Sequence, residues 1–405
     1  MNHKKKVIII GGGAAGFFAA ANINPEKYDI FILERAKNPM QKIKISGGGR
    51  CNVTHACFDP KELVQYYPRG SKELLSVFTK FQPLDTQRWF EERGLKLKTE
   101  ADNRMFPTTD SSQDIMNVLI ESALSNNTKI FYQTPVTKIS AGEEGWKIFS
   151  KNKEFFADEV IFCTGSSPKA YDLLKPLDIE IVDLVPSLFT FNIKHPLLEG
   201  LMGTSFENAI VRIPSLKTEE NGALLISHWG LTGPAVLKLS AWCAREFFKM
   251  NYNFLIEVNF LGISTEQADQ MILDYKKENP KKSLAQSKIF SITQRFWRRI
   301  LEINKIDPHK QIANLSKKEK ISILDNLSKC KFEVKGKSTF KEEFVTAGGV
   351  KLDQVDFKTM RLKKLNNFYI AGEVLDIDAI TGGFNFQACW SESWLIAKNL
   401  NEKEC

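Results

Sequence analysis

Val7-Ile8-Ile9-Ile10-Gly11-Gly12-Gly13-Ala14-Ala15-Gly16-Phe17-Phe18, followed by a second apolar run from Ile30 to Leu33 that ends in Glu34, decides the fold. Val7 to Ile10 is too short for a helix and rich in β-branched residues, so it predicts a buried parallel strand. Gly11, Gly13 and Gly16 stand in G-x-G-x-x-G spacing, and Phe17 to Ala21 continue as a helix. Ala14, Ala15, Ala19, Ala20 and Ala21 are small enough for that helix to pack closely on a sheet. In this pattern Gly11 permits the tight turn, Gly13 lets the backbone approach a pyrophosphate, and Gly16 lets helix and strand touch. The helix N-terminus offers free N–H groups and a positive dipole end to phosphate. Glu34 lies 23 positions after Gly11, where an acidic side chain accepts hydrogen bonds from ribose hydroxyls. An ordinary glycine-rich strand–helix turn would not require that acid.

At roughly 150 residues per domain, 405 residues predict two or three domains, and an apolar fraction of 43% supports a sizeable core. No apolar run approaches the roughly 18 residues of a membrane span. The basic start MNHKKK leads into a strand of the glycine fingerprint rather than a signal peptide, so the expected location is cytoplasmic, with no membrane partner. The seven cysteines are widely spaced with no C-x-x-C pair, and the five histidines are scattered. That argues against a disulfide framework, a zinc ribbon and a metal site. The net charge of +8 is unevenly placed: the segment 276–341 holds 18 Lys and Arg against 6 Asp and Glu. Such a segment is either a set of solvated helix faces or a surface for a polyanion.

A second unusual stretch is Ser46-Gly47-Gly48-Gly49-Arg50-Cys51-Asn52. Three consecutive glycines cost backbone entropy, which makes sense where backbone must approach a flat or charged ligand. Helices are expected over 59–90 and 111–126, strands near 129–132 and 146–150, and a buried strand over 159–165 that ends in Thr164-Gly165. From about Pro186 short strands appear, then Ser227-His228-Trp229-Gly230, a helix to about Phe248, a strand 254–260, and helices over 265–278, 284–304 and 317–328. The tail returns to glycine: a stretch 344–350, a buried strand ending in Gly372-Glu373, then Gly382-Gly383 opening a last helix. A helix N-terminus behind Gly-Gly either binds an anion or polar ring edge or is a plain left-handed turn. Two such sites at opposite ends of one chain fit an extended two-headed ligand, FAD, better than NAD.

GGGAAG, SGGGRCNVTH, SHWGLTGPAVLKLS, VTAGGVKL and FYIAGEVLDIDAITGGFNFQ, in this order over nearly the whole chain, resemble the BaiN-like flavoproteins, which include the YhiN and aminoacetone oxidase types. The resemblance implies an α/β fold: a Rossmann-like FAD-binding domain built from both chain ends (1–186 and 343–405), with an inserted β-barrel-like and helical substrate or cap domain (187–342). It implies FAD contacts from Gly11, Gly13, Ala14, Ala15, Gly16, Glu34, Arg35, Lys42, Ser46, Gly47, Gly48, Gly49, Arg50 and Asn52. Thr164, Gly165, Gly372, Glu373 and Asp376 would line the pyrophosphate and ribityl region, with Gly382, Gly383, Phe384, Asn385 and Gln387 along the isoalloxazine. Cys163-Thr164-Gly165-Ser166 and Ser393 depart from that family's usual Ala-Thr-Gly-Gly and Gly.

The resemblance implies an FAD-dependent oxidoreductase that reduces a conjugated C=C, with NADH or NADPH as transient electron source. Cys51 is the candidate proton donor, since a thiol near its ordinary pKa of about 8.5 keeps a proton to give; equally, it packs under the flavin. Arg50 either lowers that pKa or holds an anionic substrate group. Uridine in large-subunit ribosomal RNA is the favoured substrate because of the basic segment, where Arg295, Arg298 and Arg299 would meet phosphate and Phe296 and Trp297 would stack on bases. The alternatives are a small-molecule oxidoreductase (amino ketone oxidase or steroid or bile-acid enone reductase) and a non-catalytic flavin-containing RNA-binding protein.

Overall fold

A computed structural model describes residues 4–151, 153–337 and 345–403. The chain divides into two compact units, Met1–Val185 with Val345–Cys405, and Pro186–Phe344.

The first unit is built on β1 (Lys5–Ile10), α1 (Ala14–Asn22) and β2 (Tyr28–Leu33). β1 is an interior strand of a seven-stranded sheet, flanked in parallel by β2 and by Glu159–Phe162, which in turn pairs with Phe368–Ile370. The apolar residues Val7 to Ile10 are buried because the sheet is covered on both faces. Register decides where the chemistry lies. Ile10 pairs with Leu33 and with Phe162, and Phe162 with Ile370. The residues that follow these strands, Gly11, Glu34, Cys163 and Ala371, therefore share one edge, the carboxyl end where open α/β sheets bind ligands. α1 packs against the C-terminal helix Phe384–Glu402 and against Ser112–Ser125.

Two helices are shorter than the sequence suggests. The stretch 59–90 breaks into Pro60–Leu63, Ser71–Phe78 and Pro83–Glu91. Gly70 at φ +84° ends the continuity, and Pro83 begins a new helix whose capping box joins Gln82 and Asp85. Of 284–304 only Gln294–Ile303 is α-helical, restarted by the Thr293 hydroxyl accepting the Phe296 N–H. A three-stranded meander, Val136–Gly142, Gly145–Ser150 and Lys153–Ala157, contains two strands that the sequence reading passed over.

The second unit is a six-stranded antiparallel sheet in the order Phe191–Asn192, Gly230–Thr232, Thr218–Ile226, Ser205–Ile213, Asn253–Asn259, Cys330–Lys335. Its two edges meet. Phe191 bridges to Lys337, the Asn192 N–H donates to the Gly336 carbonyl at 3.2 Å, and its side-chain amide donates to the Lys337 carbonyl at 2.6 Å. The sheet thus closes as a barrel, which leaves no free edge. Alternation is plain in the last strand, where Cys330, Phe332 and Val334 are buried and Lys331, Glu333 and Lys335 exposed. Phe296 and Trp297 belong to this unit's core, and the Trp297 indole donates to the Leu284 carbonyl at 2.7 Å. This corrects the stacking role expected of them: their rings face protein, because a helix with this periodicity turns its apolar stripe inward. Among the described residues no helix is long and apolar enough to cross a membrane, and no cluster of His, Cys, Asp and Glu could hold a metal ion.

Candidate active site

The glycine turn after β1 is closely packed on one side and open on the other. A Cβ on Gly16 would lie 2.1 Å from the Gly11 carbonyl oxygen, and one on Gly11 would lie 2.4 Å from that of Cys163. A Cβ on Gly13 would meet nothing within 4 Å. Gly13 caps α1 without a side-chain hydrogen bond, and the first turn holds no acidic residue. The N–H groups of the first turn are thus presented to open space at the positive end of the helix, where a diphosphate fits. The Glu34 carboxylate, nearly buried, accepts the Gly12 N–H at 2.7 Å and the Ala36 N–H at 2.6 Å. Each oxygen keeps a second acceptor position for a ribose hydroxyl. These residues fit an adenine dinucleotide. Arg35 donates to the Ser167 hydroxyl at 2.9 Å.

Downstream, the helix that begins at Gln41 is broken at Ser46 (ψ 149°), and Gly47, Gly48 and Gly49 take φ of +57°, +69° and +87°. Such a run of left-handed residues requires glycine. A Cβ on Gly47 would strike the Phe106 ring at 2.9 Å, while at Gly48 and Gly49 it would meet nothing. The loop therefore shows bare backbone to open space, as a flat ring would need.

Arg50 lies 4.0 Å over the Phe106 ring and is held by Glu100 at 2.6 Å and Asp110 at 3.5 Å. Its cation is already opposed by two carboxylates. Cys51 adopts φ +61° and is 0% exposed, and burial pushes its thiol up to about 12. It keeps its proton at any ordinary pH but has no path to solvent in this arrangement. In the folded protein at pH near 8 a soluble thiol reagent should leave Cys51 unmodified, and denaturant should release it. Mass spectrometry of labelled peptides checks this; rapid native labelling would show that the loop opens.

Residues from the two chain ends interlock around this loop. Lys42 pairs with Glu373, whose other oxygen accepts the Thr346 N–H at 3.0 Å. Asp376 accepts the Gly348 N–H at 3.0 Å. The Tyr67 hydroxyl donates to the Phe384 carbonyl at 2.6 Å, and the Trp390 indole to the Val53 carbonyl at 2.9 Å. Arg69 makes a two-pronged ion pair with the fully buried Asp378. The Asn52 amide, oriented to satisfy both neighbours, accepts the Gly383 N–H and donates to the Thr54 carbonyl, each at 3.0 Å.

Three residues expected along the ring are held by protein partners. Gln387 is fully buried; its amide oxygen accepts the hydroxyls of Thr54 at 2.5 Å and Thr86 at 2.9 Å, and its NH2 donates to Ser391 at 2.9 Å. It faces the core because it lies one turn into the final helix, on the side packed against the N-terminal segment. Phe384 is buried under Tyr66 and His55, with ring centroids 4.3 and 4.6 Å away. Asn385 closes its own loop, bonding the Ala379 N–H at 3.0 Å and carbonyl at 3.1 Å. Sequence reasoning passed over Thr54, Arg69, Thr86 and Asp378, whose partners lie hundreds of positions away and leave no periodic signal.

The HI0933-like protein Rossmann domain matches residues 5–399. The chain belongs to this flavoprotein oxidoreductase family. Among curated relatives of this HI0933-like chain, the ribosomal RNA dihydrouridine synthase of Escherichia coli K12 is 28% identical, with 92% of each chain covered. The 3-dehydro-bile acid delta(4,6)-reductase of Clostridium scindens is 24% identical over 92% of this chain and 93% of that one. Among solved structures, the 3-ketosteroid delta1-dehydrogenase of Sterolibacterium denitrificans shares the fold, with a TM-score of 0.51, 9% identity, and coverage of 98% of this chain and 100% of the other.

In the second unit some cations of the basic segment are held by protein partners and others are exposed. Lys310 and Lys320 pair with Glu319 and Asp269, and Arg299 donates to the Pro196 carbonyl at 2.6 Å. Lys277, Lys281, Lys282, Lys288, Arg298, Lys305, Lys317 and Lys318 are exposed. Residues 338–341 of the segment lie outside the described residues.

Proposed function

We propose that this HI0933-like chain is an FAD-dependent reductase that adds hydride to a conjugated C=C, with NADH or NADPH as electron source, and that its substrate is a uridine of large-subunit ribosomal RNA. The observation that carries the reading is the pair of relatives covered over nine-tenths of their length. One is named for making dihydrouridine and the other for reducing a bile acid. Both names describe saturation of a ring C=C.

In this reading FAD, when bound, supplies the hydride and accepts electrons from the nicotinamide. The protein's part is binding and placement. The N–H groups at Gly13, Ala14 and Ala15 offset the diphosphate charge, and Glu34 fixes the ribose. Gly48 and Gly49 admit the ring system, and the Lys42–Glu373 pair ties the two walls of the site together. Cys51 packs the loop. Its burial gives the thiol no route to a substrate carbon in this conformation. The exposed lysines and Arg298 of the second unit offer charge to an RNA backbone.

Anaerobic reduction by each nicotinamide, then reoxidation by candidate acceptors, tests the reading. RNA fragments bearing the target uridine should reoxidise the flavin and gain dihydrouridine. Reoxidation by a bile-acid enone and not by RNA would select the small-molecule alternative, which the Clostridium relative favours. Binding has its own prediction. Replacing Lys277, Lys281 and Lys282 with alanine should weaken RNA binding and flatten its salt dependence by about 2 in log–log slope, at about 0.7 per phosphate contact on single strands. An unchanged slope would remove this face from the RNA-binding surface.

A further inference from the structure

Glu392 sits two turns into the C-terminal helix and is 0% exposed. One carboxyl oxygen accepts the Gly372 N–H at 2.6 Å, and the other has no hydrogen-bond partner. Among the described residues no cation pairs with it. A carboxylate in that setting would be a buried charge with a single donor, so the group favours its neutral form. Burial pushes it up to about 8, against the opposing pull of the Gly372 N–H.

The group that Glu392 holds is the notable part. Gly372 follows the strand Phe368–Ile370 at φ +84°, and its carbonyl accepts the Leu375 N–H at 3.0 Å to close a turn. Glu373 leaves the same turn to reach Lys42 and the Thr346 N–H. We propose that Glu392 is a positioning residue: its carboxyl holds the Gly372–Glu373 turn for FAD through the Gly372 N–H, and its ionisation, by placing an unpaired negative charge behind that turn, weakens FAD binding. This rests on the FAD reading above.

The groups facing it act in the same sense. Tyr67, from the segment before the helix Ser71–Phe78, and Cys389, from its own helix, are both pushed well up by burial and by the Glu392 charge. Glu373 adds a carboxylate from the turn itself, and Lys42 is already committed to Glu373. Ionised Glu392 would therefore stand beside two groups that stay neutral, behind a glycine whose Cβ would lie 3.3 Å from that of Ala15, in the helix turn that the FAD reading assigns to the diphosphate. By linkage, an anion that binds close by raises the proton affinity of Glu392, so FAD affinity falls as pH rises through its titration. Glutamine keeps the carbonyl that accepts Gly372 and removes the titration.

The experiment titrates FAD into deflavinated wild-type protein and into Glu392→Gln, following flavin fluorescence between about pH 6.5 and about pH 9, and melts both apoproteins over the same range. Wild type should lose about tenfold in FAD affinity across the window while the variant stays within about twofold. The melts carry a separate sign. A raised folded-state pKa gives stability that is full below the ordinary carboxylate range and lost as pH rises towards about 8, so the wild-type melting temperature should drop relative to the variant over that interval. Parallel affinity curves in two proteins that both bind FAD overturn the proposal alone. Absence of FAD binding at every pH overturns the cofactor reading and the proposal with it. Should the variant not accumulate, the wild-type curve decides, and an affinity constant across the window overturns the proposal.

Discussion

Gly13→Val should purify folded, melt close to the parent, and carry no flavin. Gly13 has φ −93° and ψ −165°, extended backbone that valine adopts without strain, and an added Cβ would meet nothing within 4 Å. The cost falls on whatever occupies that space. If it is a diphosphate, the isopropyl group displaces it from the helix N-terminus, and FAD affinity drops by about 100-fold or more, equivalent to about 2.7 kcal/mol. Gly16→Ala is the counter-case. Its Cβ would sit 2.1 Å from a backbone oxygen that cannot move without shifting β1, so it should lower the melting temperature with or without cofactor. Absorbance near the flavin band and thermal melts of both apoproteins separate the two. A flavin-loaded Gly13→Val protein would mean that the diphosphate lies elsewhere.

Arg69→Ala should strongly destabilise the cofactor unit. Asp378 is fully buried, and Arg69 supplies both prongs of its ion pair from the opposite end of the chain. Removing one partner of a buried pair typically costs about 3–5 kcal/mol, because the remaining buried charge loses its counter-ion in a low dielectric. The local consequence is specific. Arg69 and Asp378 form a bridge beside the loop that leads to Gly382 and Gly383, so the start of the final helix should loosen together with global stability. Urea unfolding of the apoprotein measures the first effect, and hydrogen exchange at residues 376–386 the second. Arg69→Met with Asp378→Leu should recover much of the loss, since an apolar pair of similar volume leaves no buried charge without its counter-ion. A cost below about 1 kcal/mol for Arg69→Ala would show that water reaches Asp378.

How much could be read in advance follows from where the determinants lie in the chain. β1, α1 and Glu34 were legible because the strand, the turn and the acid obey local rules within 28 residues. Gly47 to Gly49 were legible as a loop with bare backbone for a similar reason: no other residue tolerates three left-handed positions in a row. Phe296 and Trp297 were misjudged because an aromatic pair with one arginine before it and two after it describes an RNA-binding strip and an amphipathic helix equally well; only burial separates the two. Gln387 was placed along the isoalloxazine by the family resemblance; a residue four positions past Gly383 lies over the same helix face, and here that face meets Thr54 and Thr86. Glu392 gave no sign at all. A lone acid in a helix reads as exposed until the packing around it is known.

The strands Ile181–Ser187 and Val345–Val350 run side by side, with the Lys351 N–H donating to the Glu180 carbonyl at 3.1 Å. The barrel unit therefore leaves and rejoins the chain through neighbouring strands, as a cassette with one doorway. A different cassette of any length can be threaded through that doorway without disturbing β1 or the final helix, since a long excursion between fixed points adds little closure entropy. Exchange of the insert would leave the glycine turn after β1 and the final helix, both supplied by the other unit, with their sequence and their neighbours in the sheet untouched.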